Sequence, residues 1–330
     1  MKLRLFAMLL ACCTMFAHAG EIQDRAALAA EFNAAFERSD FAAIEARYAR
    51  AVAGKERLAS GVFVSGRIVR DMFPGAPSGA GQPKGADAHW KAIEAKAQAW
   101  MAGYPKSAIA AIALSQAYRA HGWEYRGGGY ANSVSKEDFA RFKSYVGLAQ
   151  EALVARADTG KADPNWHWQM LEVGRLNGWT DRQYFAFAES ALDAFPGYYD
   201  IYFEVSSRLL PQWGGSLEAL ASFAEHAVAR TRASEGRALY GRIYWNVYGM
   251  LGAEKLKGGD VDWPKIRAGF DDIVKRYPDP WNLNFFARMA CDAGDQETTR
   301  RVLALVGDKL EPSAWSGRSA YLRCKNLAVN

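Results

Sequence analysis

The amino-acid sequence predicts an all-α protein, built as an irregular array of antiparallel helix pairs, an α-solenoid. Apolar residues recur at helical spacing and predict core-facing stripes, for example at Phe139, Phe142, Val146, Ala149 and Leu153, and at Tyr240, Ile243, Val247 and Met250. Alternating runs of β-branched residues, which would indicate strands, are nearly absent. Proline and glycine recur about one helix length apart. Stacked helix pairs account for all three observations, because each pair buries its apolar face against the next.

Proline and glycine mark the expected helix boundaries. Proline disfavours the helical conformation in the residue before it and is suited to the first turn of a helix. Four prolines stand where one helical pattern finishes and another begins: Pro105, Pro164, Pro196 and Pro278. A glycine follows each proline at a distance of about one helix. We expect these glycines to end their helices in a left-handed conformation: Gly122, Gly178, Gly214 and Gly294.

Two helix starts carry capping patterns. Thr180 to Gln183 forms a capping box, and Ser135 to Asp138 is a weaker version of it. The interval from Pro164 to Pro196 is close to the period of tetratricopeptide repeats, which is about 34 residues. The other intervals between these prolines are longer. We therefore expect a tetratricopeptide-like array whose repetition is irregular.

The first nineteen residues have the organisation of a signal peptide. Lys2 and Arg4 precede an apolar stretch at residues 5–16, and AHA at 17–19 is a cleavage-site pattern. The apolar stretch is too short to span a bilayer, which takes about 20 residues. We expect cleavage near Ala19 and a periplasmic or secreted protein without a membrane span. Lipoprotein anchoring at Cys12 is a second interpretation, but it would leave a very short apolar region.

The rest of the chain divides into an N-terminal helical section at residues 20–72, a Pro- and Gly-rich loop at 73–87, and a helical-repeat domain at 88–330. The formal net charge of the full chain is +5, to which Lys2 and Arg4 contribute two units. Lysine and arginine are scattered along the chain. No basic stripe for nucleic acid is visible, so we expect no nucleic-acid partner.

Two cysteines remain after the leader, Cys291 and Cys324. An even pair in an oxidising compartment predicts one structural disulfide. A metal site is the alternative, but no His or Cys lies at ligand spacing from either residue. We therefore expect a disulfide, no metal and no cofactor.

The segment HGWEYRGGGY, at residues 121–130, contains three consecutive glycines. A phosphate-binding loop would need Gly-Lys-Ser/Thr at a helix start, and a dinucleotide-binding turn would need a preceding strand. Neither is present, so we expect a helix end, a turn and a capped restart. The side chains here exceed what a turn requires, and loops on rigid scaffolds often bind partners. They form the first candidate binding surface: His121, Trp123, Glu124, Tyr125, Arg126 and Tyr130.

Two further helix junctions carry candidate residues. Trp166 and His167 stand at a predicted helix start, where the histidine is either a general base or, more commonly, a packing residue. Trp213 lies in LPQWGGS, at residues 210–216, and could anchor either the core or a partner. The motifs HExxH, GxSxG and CxxC are absent from the mature sequence. This absence favours a protein without enzymatic activity but leaves an enzyme possible.

The motifs HGW, YRGxG, PxWH and LPxWGGS, the last followed by FA at residues 223–224, occur together in this order. As a set they resemble an uncharacterised bacterial family, domain of unknown function 4034, over residues 30–315. The resemblance implies a helical fold and assigns no reaction.

Two functions are compatible with these observations. The first is a non-enzymatic cell-envelope protein that binds a protein or peptide partner through an aromatic-rich surface, since Trp, Tyr and Arg are frequent anchors of interfaces. The second is an envelope enzyme or small-ligand binder with a pocket formed by His121, Glu124, Arg126, His167 and Trp213. Convergence of these side chains on one pocket would favour the second. The identity of the partner and the oligomeric state stay open.

Overall fold

The computed structural model describes residues 20–73, 87–129 and 133–329. These residues form seventeen α-helices and no strand, which confirms the all-α prediction. The signal peptide, most of the expected Pro- and Gly-rich loop, and Tyr130 lie outside them. The helices are α1 (Glu21–Glu37), α2 (Phe41–Ala53), α3 (Val64–Arg70), α4 (Asp87–Gly103), α5 (Ala108–Arg126), α6 (Lys136–Val154), α7 (Ala157–Gly160), α8 (Pro164–Asn177), α9 (Asp181–Ala194), α10 (Tyr199–Arg208), α11 (Leu217–Glu235), α12 (Ala238–Leu251), α13 (Ala253–Lys257), α14 (Trp263–Arg276), α15 (Pro280–Asp292), α16 (Gln296–Val306) and α17 (Arg318–Val329).

The helices pack mostly against their sequence neighbours. α4 packs on α5, α5 on α6, α8 on α9, α11 on α12, and α15 on α16. In addition, α8 contacts α10, and α10 contacts α12, so that these helices form a continuous row. The core is a single cluster of buried apolar side chains that runs through all of these contacts. This arrangement confirms the expected helical array.

Most of the predicted helix boundaries are confirmed. Gly178 and Gly294 follow the ends of α8 and α15 with positive φ angles of 79° and 78°. Gly214 has a φ of 84° but ends the 3₁₀ turn Pro211–Trp213, since α10 already ends at Arg208. The prediction for Gly122 is wrong, because α5 continues to Arg126 and ends at Gly127, whose φ is 60°. Gly122 instead lies inside α5, where a Cβ would stand 2.9 Å from Cβ of Tyr145 on α6. The glycine at this position therefore allows a close helix–helix contact and does not end a helix.

The helix starts agree with the capping patterns. The Thr180 hydroxyl accepts from the backbone N–H of Gln183, and the Gln183 side chain accepts from the backbone N–H of Thr180. Ser135 accepts from the backbone N–H of Asp138 at 3.0 Å. Pro164 is the first residue of α8, capped by Asp163. The other three prolines precede their helices by a few residues.

The apolar stripes face the core with two exceptions. Phe142, Val146, Ala149 and Leu153 of α6 are buried, as predicted. Phe139 is 41 % exposed and Met250 is 49 % exposed, so the expectation that they face the core is wrong. Phe139 lies in the first turn of α6 and Met250 in the last turn of α12.

The N-terminal section, α1 to α3, packs along the row of helices. α1 contacts α15, and α3 contacts α8. The loop between α2 and α3, residues 54–63, reaches further, because the Ser60 carbonyl accepts from Arg242 of α12 at 2.7 Å. This section therefore contacts helices that are far apart in the sequence.

The disulfide prediction is confirmed, since Cys291 of α15 is bonded to Cys324 of α17. One group of three possible metal ligands is found among the described residues, and it consists of Cys291, Asp292 and Cys324. Both cysteine sulfurs are used by the disulfide.

None of the described helices has the length and apolar character needed to cross a membrane.

Candidate functional site

His121 lies at the centre of a buried polar cluster between α4, α5 and α6. Its Nδ1 is 2.6 Å from Glu94 Oε1, and its Nε2 is 2.8 Å from Asp87 Oδ1. The ring of Tyr145 packs on the imidazole with centroids 4.2 Å apart. Each ring nitrogen of His121 lies within hydrogen-bonding distance of a carboxylate of α4. The side chain therefore cross-links two positions of α4 to α5.

The two carboxylates beside His121 differ in their surroundings. Hydrogen bonds from Tyr125 and His121 hold the pKa of Asp87 well below its usual range. Burial raises the pKa of Glu94, although the hydrogen bond from His121 opposes that shift. His121 itself is 0 % exposed, so no substrate reaches its ring. We interpret the cluster as a structural cross-link.

The other side chains of the first candidate surface also have local partners. Glu124 accepts from Trp90 Nε1 at 3.0 Å. The ring of Trp123 packs on Phe142 with centroids 5.1 Å apart. Arg126 Nη1 donates to the Gly129 carbonyl at 2.6 Å, which closes the turn after α5. Each of these contacts stabilises the helix junction.

Trp166 and His167 lie at the start of α8. Trp166 Nε1 donates to the Leu153 carbonyl at 2.9 Å, and His167 Nε2 donates to the Lys161 carbonyl at 3.0 Å. Burial lowers the pKa of His167. Because both side chains are buried and bonded to backbone carbonyls, they help to pack the junction between α7 and α8.

Trp213 belongs to a third location, a 3₁₀ turn between α10 and α11. It is 42 % exposed, and the guanidinium of Arg175 lies 5.3 Å from the centroid of its ring. The sequence-predicted residues thus occupy three separate helix junctions. None of those that the structure describes lines any of the three cavities described below.

A different set of side chains forms a groove between the N-terminal section and the helix row. One cavity of about 270 Å³ and another of about 230 Å³ share Arg25, Val62, Phe203 and Asn246 among their lining residues. We call the two together the arginine groove. Its charged and aromatic lining consists of four arginines, one aspartate and five aromatic residues: Arg25, Arg67, Arg70, Arg242, Asp200, Phe63, Tyr199, Phe203, Trp245 and Trp281.

Three of the four arginines have carboxylate partners. Arg25 pairs with Glu21 at 2.6 Å. Arg70 pairs with Asp200 at 2.6 Å. The third pair joins Arg67 to Asp71. Burial lowers the pKa of Arg67, and the charge of Asp71 opposes that shift.

Arg242 differs from the other three. It is 2 % exposed, and its Nη2 donates to the Ser60 carbonyl at 2.7 Å. Its guanidinium lies 4.7 Å from the ring centroid of Tyr199 and 5.4 Å from that of Tyr277. In the described part of the chain no carboxylate pairs with it, and its Nε has no hydrogen-bond partner. Since buried charges are normally paired, Arg242 has a positive charge available for an anion.

Aromatic rings form the wall of the groove next to Arg242. Phe285 of α15 packs between Trp245 and Trp281, with centroids 4.6 Å and 5.0 Å from theirs. Asn246 Nδ2 donates to the Phe203 carbonyl at 3.2 Å. Sequence reasoning missed this site because α1, α3, α10, α12 and α15 each contribute to it. The one local signal was Arg242 itself, a charge within the apolar stripe ALYGRIYWNV of α12.

No family model, curated protein or solved structure matches the chain.

Proposed function

We propose that this protein is a non-enzymatic binding protein of the cell envelope, and that it holds an acidic peptide segment of a partner protein in the arginine groove. Arg242 supports this proposal more than any other residue. Removing a guanidinium from water is costly unless an anion compensates it. A carboxylate in the adjoining cavity of about 270 Å³, which Arg242 lines, would supply that anion.

The form of the groove favours a peptide segment. Two adjoining shallow cavities offer places for successive side chains, one beside Arg242 and one beside Arg67 and Arg70. Trp245 and Trp281 offer an apolar wall. Aromatic and arginine side chains are the usual anchors of peptide and protein interfaces. A peptide with an acidic residue next to an apolar residue would contact both the arginines and the aromatic wall.

The enzymatic alternative has less support. It needs His121, Glu124, Arg126, His167 and Trp213 around one pocket, and these residues lie at three junctions. The ring of His121 is fully buried.

The proposed location rests on the leader sequence and on the disulfide, which is typical of an oxidising compartment. Cleavage near Ala19 gives a periplasmic or secreted protein, and anchoring at Cys12 is the second possibility. We also propose that the protein is a member of the family called domain of unknown function 4034 and has tetratricopeptide-like repeats. Membership in this family assigns no reaction to the protein.

An array of twelve-residue peptides tests the proposal. Each peptide contains one or two Asp or Glu residues beside an apolar residue and is paired with its Asn or Gln isostere. We expect a subset of acidic peptides to bind and their isosteres to bind at least about tenfold more weakly, because a hydrogen bond to a charged group contributes about 1.5–3 kcal/mol.

Two variants locate the binding site. Arg242→Met should abolish the preference for acidic peptides. Arg232→Met, which removes an exposed arginine of α11, should leave it unchanged. Equal binding of acidic peptides and isosteres across the array, or equal binding to both variants, would contradict the proposal.

A further inference from the structure

A second cavity, of about 510 Å³, lies on the other side of Phe63 from the arginine groove. Its volume is in the range of small-molecule sites, about 300–1,000 Å³. We call it the Lys55 pocket. The end of α2, the loop before α3, and the turns that precede α8 and α10 line it with these residues: Val52, Ala53, Lys55, Arg57, Phe63, Ser65, Ala162, Pro164, Ala194, Phe195, Pro196, Gly197 and Tyr198.

The lining of the Lys55 pocket has a distinct chemistry. Most of it is apolar, with Phe63, Phe195 and Pro196 as the largest surfaces. Its charged residues are the cations Lys55 and Arg57, and none of the described lining residues is acidic. A ligand that matches this lining has an apolar body and one negative charge.

The two cations are not equivalent. Arg57 is fixed by its own contacts, since it pairs with Glu235 at 3.1 Å and donates to the Gly61 carbonyl at 2.6 Å. Its guanidinium also lies 4.1 Å from the ring centroid of Phe63. Lys55 is exposed, and it is the cation of the pocket that has no ion-pair partner among the described residues.

The backbone at Lys55 is strained. Its φ is 47°, in the left-handed region that a lysine rarely adopts. The N–H of Lys55 donates to Val52 O at 3.1 Å and that of Glu56 to Ala51 O at 3.0 Å, which is the pattern of a Schellman helix end. Glycine is the preferred residue at this position, yet Gly54 lies one residue earlier, at a φ of −76°. Lys55 is one of two non-glycine residues with a positive φ in the described part of the chain, and of the two it is the one that lines the pocket.

The polar wall of the pocket is held rigid by a buried hydrogen-bond chain. Ser65 Oγ lies 3.1 Å from Tyr198 Oη, and Tyr198 donates to Asn165 Oδ1 at 2.6 Å. Asn165 Nδ2 in turn donates to Tyr48 Oη at 2.8 Å. The chain ends at Asp163, whose carboxylate accepts from Tyr48 and is not part of the pocket lining. These bonds hold Ser65 and Tyr198 in place in the pocket wall.

We propose that the Lys55 pocket binds a small amphipathic monoanion, a carboxylate with an apolar body. The carboxylate pairs with the Lys55 ammonium, and the apolar body packs against Phe63, Phe195 and Pro196. This site is separate from the arginine groove and does not depend on the peptide-binding proposal.

Calorimetric titration with decanoate, and with decanol as its uncharged counterpart, tests the proposal. We expect one decanoate to bind per chain and decanol to bind about two- to fivefold more weakly, as expected for an exposed ion pair. Absence of decanoate binding, or equal affinities for the two compounds, would overturn the proposal.

Glycine substitution separates the ligand contact from a structural role. Lys55→Gly removes the ammonium and relieves the left-handed strain, so we expect decanoate affinity to fall about two- to fivefold while the melting temperature stays the same or rises. Ser39→Gly is the matched control, because Ser39 has a φ of 55° at the end of α1 and lies outside the pocket. It should stabilise the fold and leave decanoate affinity unchanged.

Arg242→Met distinguishes the two sites, since Arg242 does not line the Lys55 pocket. Unchanged decanoate affinity in this variant supports the proposal. If instead Arg242→Met weakens decanoate binding and Lys55→Gly does not, the ligand lies in the arginine groove and the proposal is wrong.

Discussion

Ser60 and Arg242, separated by 182 positions in the sequence, are joined by a hydrogen bond of 2.7 Å from Arg242 Nη2 to the Ser60 carbonyl. Asn282 donates to the same carbonyl at 3.1 Å, and Glu21 accepts from the Ser60 N–H at 2.9 Å. The backbone N–H and carbonyl of Ser60 are therefore held by α1, α12 and α15 together. This contact places the loop at residues 54–63 between the arginine groove and the Lys55 pocket.

Replacing Arg242 should cost little stability. Arg242→Met removes a buried charge that has no carboxylate partner, and the Ser60 carbonyl keeps its bond from Asn282. Because apolar replacement of buried charges is often neutral or stabilising, we expect the free energy of unfolding to stay within about 1 kcal/mol or to increase. Urea denaturation measures this difference. A loss above about 2 kcal/mol would mean that Arg242 is needed to hold the fold.

Asp163 should make unfolding depend on pH. Burial raises its pKa to about 6, against the opposing hydrogen bonds from Tyr48 and Asn165. The unfolded value is about 3.9, so the folded state binds this proton more tightly. The stabilisation that this proton gives the folded state is fully present below about pH 4 and is lost as pH rises through 6. The free energy of unfolding falls by roughly 2–3 kcal/mol over this range.

Asp163→Asn isolates that contribution. Asparagine also caps helices well, so α8 should keep its start. We expect the stability of this variant relative to the wild type to improve between pH 4 and pH 7, as measured by urea denaturation at several pH values. Parallel stability profiles for the two proteins would show that Asp163 does not titrate in this range.

The His121 cluster should behave as a structural cross-link. His121→Leu leaves the buried Glu94 carboxylate without its partner, and we expect a loss of about 2–4 kcal/mol. Glu94→Leu added to this variant should restore part of that loss, because it removes the unpaired group. A double-mutant cycle from urea denaturation measures the coupling. Additive effects of the two substitutions would show that the two side chains act independently.

The two glycines after α5 should respond differently to alanine. Gly127 has a φ of 60°, whereas Gly128 is not in the positive-φ region. A Cβ at either position would meet no atom within 4 Å, so the backbone alone decides the outcome. We expect Gly127→Ala to cost about 1–2 kcal/mol and Gly128→Ala to be nearly neutral. Thermal melts of the two variants test this, and equal melting temperatures would contradict it.

Local sequence predicted the helices well because their causes lie within a few residues. The capping box at Thr180 and the left-handed glycine at Gly178 act through bonds inside one turn. The disulfide followed from the cysteine count and the expected compartment. Gly122 was misjudged because the end of α5 depends on the fit between α5 and α6, where Gly122 meets Tyr145.

The sequence by itself determined the all-α class, most helix boundaries and the Cys291–Cys324 pair. Only the tertiary structure decided which polar side chains lie in cavities. His121 and Trp166 stand out in the sequence but pack inside helix junctions. Lys55 looks ordinary in the sequence, and Arg242 differs only as a charge within an apolar stripe, yet both line cavities. The reason is physical: a helix boundary depends on neighbouring residues, but a cavity forms where surfaces from distant segments meet and leave a charge uncompensated.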